Sequence, residues 1–406
     1  MNIAVPYRST LELMDDGGEE RIRDAVVAEF SPLLFASLPR KDQRLRGEQY
    51  LRGLLAAVGR KSIRNIASAF ADPAAEQRMQ HFITSSTWSW APVREALARY
   101  ADRTTAPQAW IVRSMSIPKE GERSVGVDHG FDPHLRRTFR GQQAFGVWFA
   151  SDRVSTPVNW RLLLSGPWTR SLPRRARAGA PGGLDPRTPE GCAVAAVLED
   201  VGTWDVPSRP VVLDICSERG VAAAYRLAAA GIPVIARLAG NVRFVADHPA
   251  LPAWLRRPMA AHDLMESVKG LRRSTTWVPP EDPGATHTTL TAAVQAVPAA
   301  RDAYDRSNRA FALLGEWHRS RRPVSELWIT NMTEVPAGPL IQLTKLTLRV
   351  RHDLSAIGVP AGLKDFEGRS FHGWHRHITL ASAAHTIRAL SAAGQAGRGS
   401  ARVPTA

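Results

Sequence analysis

A chain of 406 residues with a formal charge of +15 and a sequence pI near 10.8 can bury a large core, and its basic excess points to a polyanionic partner, nucleic acid first. Its two cysteines, Cys192 and Cys216, exclude a disulfide framework and a four-cysteine zinc site, and they suit a reduced, cytoplasmic setting. The first twenty residues show no basic segment followed by an apolar one, so no signal peptide is expected, and no run of about 18 apolar residues is present to cross a membrane.

Residues 1–105 hold 15 Lys and Arg against 13 Asp and Glu, a net of +2, so +13 of the surplus lies in the remainder. A generally Arg- and Ala-rich composition is the plain alternative to a nucleic-acid partner for that surplus. Residues 1–105 read as a helical N-terminal domain. Ile22, Val26, Val27 and Phe30 recur at helical spacing, as do Leu51, Leu54 and Leu55. Asp72-Pro73 interrupts the pattern and gives a helix–turn–helix outline, which serves either DNA contact or simple helix packing. The densest basic stretch includes Arg40, Lys41, Arg44, Arg60, Lys61 and Arg64, either a phosphate-contacting face or a solvated one.

From about residue 106 the pattern becomes that of an α/β core, its first part spanning 106–240. Residues 109–112, 124–127 and 144–149 are strand candidates, and Val211-Val212-Leu213 leads into Asp214. An Ala-rich helix from Gly220 to Ala230 and a strand over 232–236 follow. Residues 165–190, rich in Pro and Gly and bearing Arg174, Arg175 and Arg177, read as a loop able to reach phosphates. Residues 241–340 read as an irregular insertion, 341–391 as the C-terminal helical part of the core, and 392–406 as a disordered tail.

Several stretches carry a further signal in their order. They are Lys41-Asp42-Gln43-Arg44, Tyr50-Leu51-Arg52-Gly53, Arg60-Lys61-Ser62-Ile63, Gln77-Arg78-Met79-Gln80-His81-Phe82, Pro118-Lys119-Glu120-Gly121, Ala150-Ser151-Asp152-Arg153, Asn159-Trp160-Arg161-Leu162, Glu367-Gly368-Arg369-Ser370 and Gly373-Trp374-His375. Together, over roughly residues 40 to 385, they resemble the insertion-sequence-701 group of DDE transposases. The resemblance implies a ribonuclease-H-like mixed sheet with flanking helices and an insertion before the last catalytic-type helix.

It also implies three carboxylates, Asp, Asp and Glu, holding two divalent metals for phosphodiester cleavage and strand transfer. Matched onto this chain, the three positions are Arg113, Asp214 and Arg351. Three carboxylates would give the site −3, whereas these three residues give +1. Such a site repels Mg²⁺, so no cofactor is expected, and Asp214 is expected to pair with one or both arginines. A guanidinium there could instead hold a DNA phosphate. Asp128, Asp132, Asp365 and Glu367 are the carboxylates that could rescue a metal site, and Mg²⁺ belongs only to that alternative.

His372, His375 and His377 lie close in sequence. As a strand, His375 and His377 would share a face, but as a helix they would not. The expected function is that of a transposase-family protein bound to double-stranded DNA in the nucleoid without strand cleavage. The alternatives are an active transposase with displaced carboxylates, and an interaction partner or inhibitor of one. A homodimer or a partner transposase is compatible with each, and a membrane partner with none.

Overall fold

The computed structural model describes residues 10–132, 137–180, 188–247, 251–279, 282, 284–299, 310–318 and 323–400. Five helices come first: α1 (Thr10–Leu34), α2 (Lys41–Ala56), α3 (Ile63–Ala67), α4 (Ala75–Thr84) and α5 (Trp90–Thr105). Side-chain caps start two of them, Ser62 accepting from the Asn65 N–H and Ser89 from that of Ala91. At the Asp72-Pro73 break, Asp72 accepts from the Ala74 N–H at 3.0 Å and pairs with Arg78, which fixes the turn between α3 and α4.

The sheet begins with β1 (Ala109–Pro118), β2 (Asp128–Asp132), β3 (Arg137–Ala150) and β4 (Ser155–Leu162). Helices α6 (Pro167–Arg170), α7 (Leu172–Ala178) and α8 (Pro189–Ala195) follow, α8 running into a π-helical turn over Ala196–Asp200. Next come β5 (Val211–Ser217), α9 (Gly220–Ala229) and β6 (Val234–Leu238). Strands β4, β3 and β1 are antiparallel neighbours, while β1, β5 and β6 are parallel ones. That order, three antiparallel strands and then two parallel additions, is the ribonuclease-H-like core.

The chain continues through β7 (Arg243–Ala246), β8 (Met259–Ala260), α10 (Ala261–Ser267), β9 (Arg273–Trp277), β10 (His287–Pro298), β11 (Ala312–Trp317) and β12 (Glu326–Thr330). Strand β12 pairs antiparallel with β6, so these strands extend the same sheet, twelve strands in all among the described residues. The expectation of an irregular stretch there is corrected by this. The reason is visible in β10, whose buried and exposed residues alternate at the period of a half-buried strand. Two helices close the chain, α11 (Ala337–Asp353) and α12 (Phe371–Ser400). Of the tail expected to be disordered over 392–406, residues 392–400 instead continue α12, and 401–406 lie outside the described residues.

Two other expectations change. Residues 124–127 form a turn, not a strand: Gly126 has a φ of +76°, and the Val127 N–H returns to the Ser124 carbonyl. The 165–190 loop contains α6 and α7, anchored by buried Trp168, whose indole N–H donates to the Val127 carbonyl at 2.9 Å. Ser171 caps α7, and left-handed Gly179 ends it. Residues 181–187 lie outside the described ones.

The sheet divides two apolar clusters. On β1, Ile111, Met115 and Ile117 face the helical side with α11 and α12, whereas Trp110 and Val112 face α8 and α9. The same alternation sets Val212 of β5, Ile235 of β6 and Trp328 of β12 toward α11 and α12. No helix among the described residues is long and apolar enough to cross a membrane.

Candidate functional site

The period of two that sorts the core also sorts the charges. Arg113 shares the face of Ile111 and Met115, Asp214 that of Val212, and Arg237 that of Ile235. Three adjacent parallel strands therefore present Arg113, Asp214 and Arg237 on the α11 side. Arg113 and Asp214 are register partners, and Asp214 and Arg237 stand one residue beyond the Leu213–Ala236 pair.

Both carboxylate oxygens of Asp214 are engaged. Arg113 Nη1 donates to Oδ2 at 2.6 Å, and Arg237 Nε lies 2.9 Å from Oδ1. Arg237 also reaches Glu326 of β12 at 3.3 Å and lies over the Trp328 ring at 4.5 Å. Charges thus alternate in a row, Arg113, Asp214, Arg237 and Glu326, over four neighbouring strands. Asp214 is 1% exposed and Arg113 7%, depths at which an unpaired charge is costly.

The two arginines respond differently. Burial pulls Arg113 below its ordinary value against the pull of Asp214, and Arg351 and Arg237 add to the lowering. Burial also opposes the charge of Arg237, but Asp214 and Glu326 outweigh it and hold that guanidinium above its ordinary value. Arg237 has two carboxylates beside it, whereas the carboxylates acting on Arg113 are offset by two cations. Asp132 and Lys364 stand close enough to act on Arg113 as well, Asp132 favouring its charge and Lys364 itself lowered chiefly by burial.

Arg351, on the last turn of α11, does not reach Asp214. It is exposed, and its side chain makes no hydrogen bond or ion pair with the described residues. Of the two arginines, one or both of which were expected to pair with Asp214, Arg113 does; the second guanidinium, not anticipated, is Arg237, because β6 lies beside β5 while α11 passes over the sheet. Past Arg351 the helix gives way to a π-helical turn over Leu354–Gly358, where Gly358 and Pro360 weaken helix propensity.

The divalent metals that the resemblance implies do not fit these residues. Arg113 hydrogen-bonds one oxygen of Asp214, Arg237 stands in ion-pair contact with the other, and among the described residues no group of three or more His, Cys, Asp or Glu is placed to hold a metal ion. Three of the four carboxylates considered for rescue are engaged elsewhere, and the fourth, Asp132, acts on Arg113. Asp128 accepts from Ser165 at 3.2 Å, Asp365 from the Lys61 N–H at 2.8 Å, and Glu367 pairs with Arg60 at 3.2 Å. His375 and His377 lie on α12, not on a strand. His377 bonds Tyr50 and the Gly362 carbonyl, and His375 meets Arg94.

The basic residues of the N-terminal stretch divide. Arg40, Lys41, Arg44, Arg60 and Arg64 are exposed, Arg40 pairing with Asp42 at 3.4 Å and Arg44 donating to the Leu38 carbonyl. Lys61 is buried at 2% exposure, its ammonium on the Ala57 carbonyl, and so is turned away from any surface ligand. Arg174, Arg175 and Arg177 lie on α7. Arg174 stacks over Trp168 and donates to the Glu122 carbonyl at 2.8 Å, which places it by the 119–123 segment with Arg140. Lys119 ties that segment to the Phe366 carbonyl, beside Arg60 and Glu367.

Several of the ordered motifs hold one another. Arg349 donates to the Asp152 carbonyl at 2.8 Å, and Asp353 accepts from the N–H and hydroxyl of Ser155. Trp88 packs on Phe82, and Trp90 stacks on His375. A family model described as DDE superfamily endonuclease matches residues 33–297, more than half of the chain. This chain belongs to the DDE superfamily of endonucleases. Among solved structures, this DDE superfamily chain is similar to that of the piggyBac transposase synaptic complex with hairpin DNA. The match covers 96% of this chain and 82% of that one, at 10% identity and a TM-score of 0.37. A search of curated proteins finds no match.

Proposed function

We propose that this DDE superfamily chain is a member of the insertion-sequence-701 group that binds double-stranded DNA and has lost metal-dependent strand cleavage. The observation that carries the reading is the double clamp on Asp214, 2.6 Å from Arg113 and 2.9 Å from Arg237. A carboxylate held in this way sits between two guanidinium groups, and a divalent cation would have to approach it against their positive charge. The pair instead ties β1, β5 and β6 together beneath α11.

DNA binding then rests on phosphate contacts from exposed arginines and lysines. Arg351 is the group of the former triad positions free to make one. Arg40, Lys41, Arg44, Arg60 and Arg64, with Arg174, Arg175 and Arg177, supply the rest, and Lys61 contributes through packing. The setting is the cytoplasmic nucleoid, and the assembly is a homodimer or a complex with an active transposase of the same fold. A second reading, cleavage by displaced carboxylates, draws on Asp132, which is buried and acts on Arg113.

Anisotropy titrations of a labelled duplex over a salt series test the proposal. Tight binding at low salt that falls steeply as salt rises, with no change on adding Mg²⁺, is expected. Absence of binding at low salt, or binding that requires Mg²⁺, would overturn it.

A further inference from the structure

Helix α4 turns one face inward and one outward. Ala75, Met79, Phe82 and Ile83 are buried. Its C-terminal end is fastened from within: the Trp88 indole N–H donates to the Phe82 carbonyl at 2.9 Å, and buried Arg376 of α12 donates to the Ile83 and Trp88 carbonyls at 3.1 Å. The Asp72–Arg78 pair holds the other end. A side chain on the outward face therefore projects from a fixed backbone, which is what precise recognition needs.

The outward face carries Gln77, Gln80 and His81, all exposed. Gln77 and Gln80 stand three residues apart and so side by side on the helix. Neither amide, nor the His81 ring, makes a hydrogen bond among the described residues. A solvated amide adds little to stability, and what marks this face is its setting.

Between α4 and the first turns of α2 runs a cleft of about 380 Å³. Gln77, Arg78 and His81 line it from α4, and Arg40 and Arg46 from the α2 side. Residues 40–46 hold four cations, Arg40, Lys41, Arg44 and Arg46, against one carboxylate, Asp42. A bank of positive charge thus borders the amide face. Glu76, the one carboxylate of α4, lies outside the cleft, on the opposite edge of that face.

Duplex DNA has the complementary layout. Its charge lies on the phosphates, and the base edges in the major groove offer donors and acceptors in pairs. That groove is about 12 Å wide and admits a helix, and the ten residues of α4 extend about 15 Å. A glutamine amide fits adenine with both its atoms, accepting from N6 and donating to N7.

We propose that α4 is the base-reading helix of this chain. It enters the major groove, Gln77 and Gln80 each take an adenine edge at neighbouring positions, and Arg40, Arg46 and His81 hold the phosphates that border the groove. The inference rests on the reading that the chain binds duplex DNA, and it adds that binding is sequence-selective and which side chains select.

Selection from a random-sequence duplex pool by the full chain tests this. Enriched duplexes should share a site with adenine, on either strand, at two neighbouring positions. Gln77→Ala combined with Gln80→Ala should reduce the preference by about 5- to 150-fold at each position, keep the melting temperature, and bind the unselected pool as the unaltered chain does. A chain that binds the pool but enriches no sequence, or a folded glutamine variant that enriches the same site, would overturn the inference and leave the DNA reading standing. A chain that binds no duplex at low salt overturns both. Should the double variant fail to fold, Gln80→Glu decides: adenine gives way to cytosine at one position if Gln80 reads it, and an unmoved site overturns the inference.

Discussion

Arg237 Nε lies 2.9 Å from Asp214 Oδ1, the oxygen that Arg113 leaves unbonded. The acidic group is therefore held from both flanking strands, and Arg237 is held in turn by Glu326. Removing one member of such a row exposes its neighbours to an interior that does not solvate charge.

Arg113→Met should lower unfolding free energy by about 3 to 5 kcal/mol, the usual cost of stripping one partner from a buried pair. Arg113→Met with Asp214→Leu should cost less than the two single changes summed, since Arg237 keeps Glu326 and no lone carboxylate remains. Urea melts of the two single variants and the double variant measure this, and strict additivity would show that the groups do not interact.

Stability should fall as pH drops from 6.5 toward 4, in part through His377. Its ring donates to the Gly362 carbonyl and accepts from Tyr50, a neutral arrangement, and burial depresses its pKa to about 4. The unfolded chain takes up a proton near 6.5, and the folded one does not until about 4. The contribution is thus complete above 6.5 and lost as pH falls through that window, roughly 3 kcal/mol in all. Buried His375 and His385 are lowered in the same direction. Melts of His377→Gln over this range should show a shallower pH dependence, and an unchanged slope would remove His377 as the cause.

In DNA binding, Arg351→Ala should reduce the slope of log affinity against log salt by about 1, the signature of one lost phosphate contact. Lys61→Met should leave that slope alone while changing the melting temperature, because its ammonium is buried on the Ala57 carbonyl. Anisotropy titrations at four salt concentrations separate the two. A slope change in Lys61→Met alone would reverse the assignment.

Combining Arg113→Asp with Arg351→Glu should create a cation site. Position 113 is the register partner of Asp214, and Arg351 acts on Arg113 from α11. Thermal melts should then show a rise of several degrees with Mn²⁺ that the unaltered chain lacks. An equal response in both proteins would mean that Mn²⁺ binds elsewhere.

The mixed sheet with flanking helices and the Arg113–Asp214 pair were legible because apolar runs and the ordered motifs marked which strands carry them. Arg237 left a readable mark too, a cation on the Ile235 face of an otherwise apolar strand, yet its partner depends on β6 lying beside β5. Lys61 could not be placed from local pattern, since its backbone bond goes to Asp365, far along the chain. The 124–127 segment has strand composition, but the left-handed Gly126 packs against Leu162 and turns the chain. Strands β9 to β12 were obscured by the Pro and Gly residues between them, although the alternation in β10 was present.

The central claim is tested most directly by nicking of supercoiled plasmid in Mg²⁺ and in Mn²⁺, with Asp214→Asn run beside the unaltered chain. The expected result is no nicking above background by either protein, while both still shift the plasmid at low salt. Nicking by the unaltered chain that Asp214→Asn abolishes would contradict it, and would show that Asp214 leaves its guanidinium partners to bind metal.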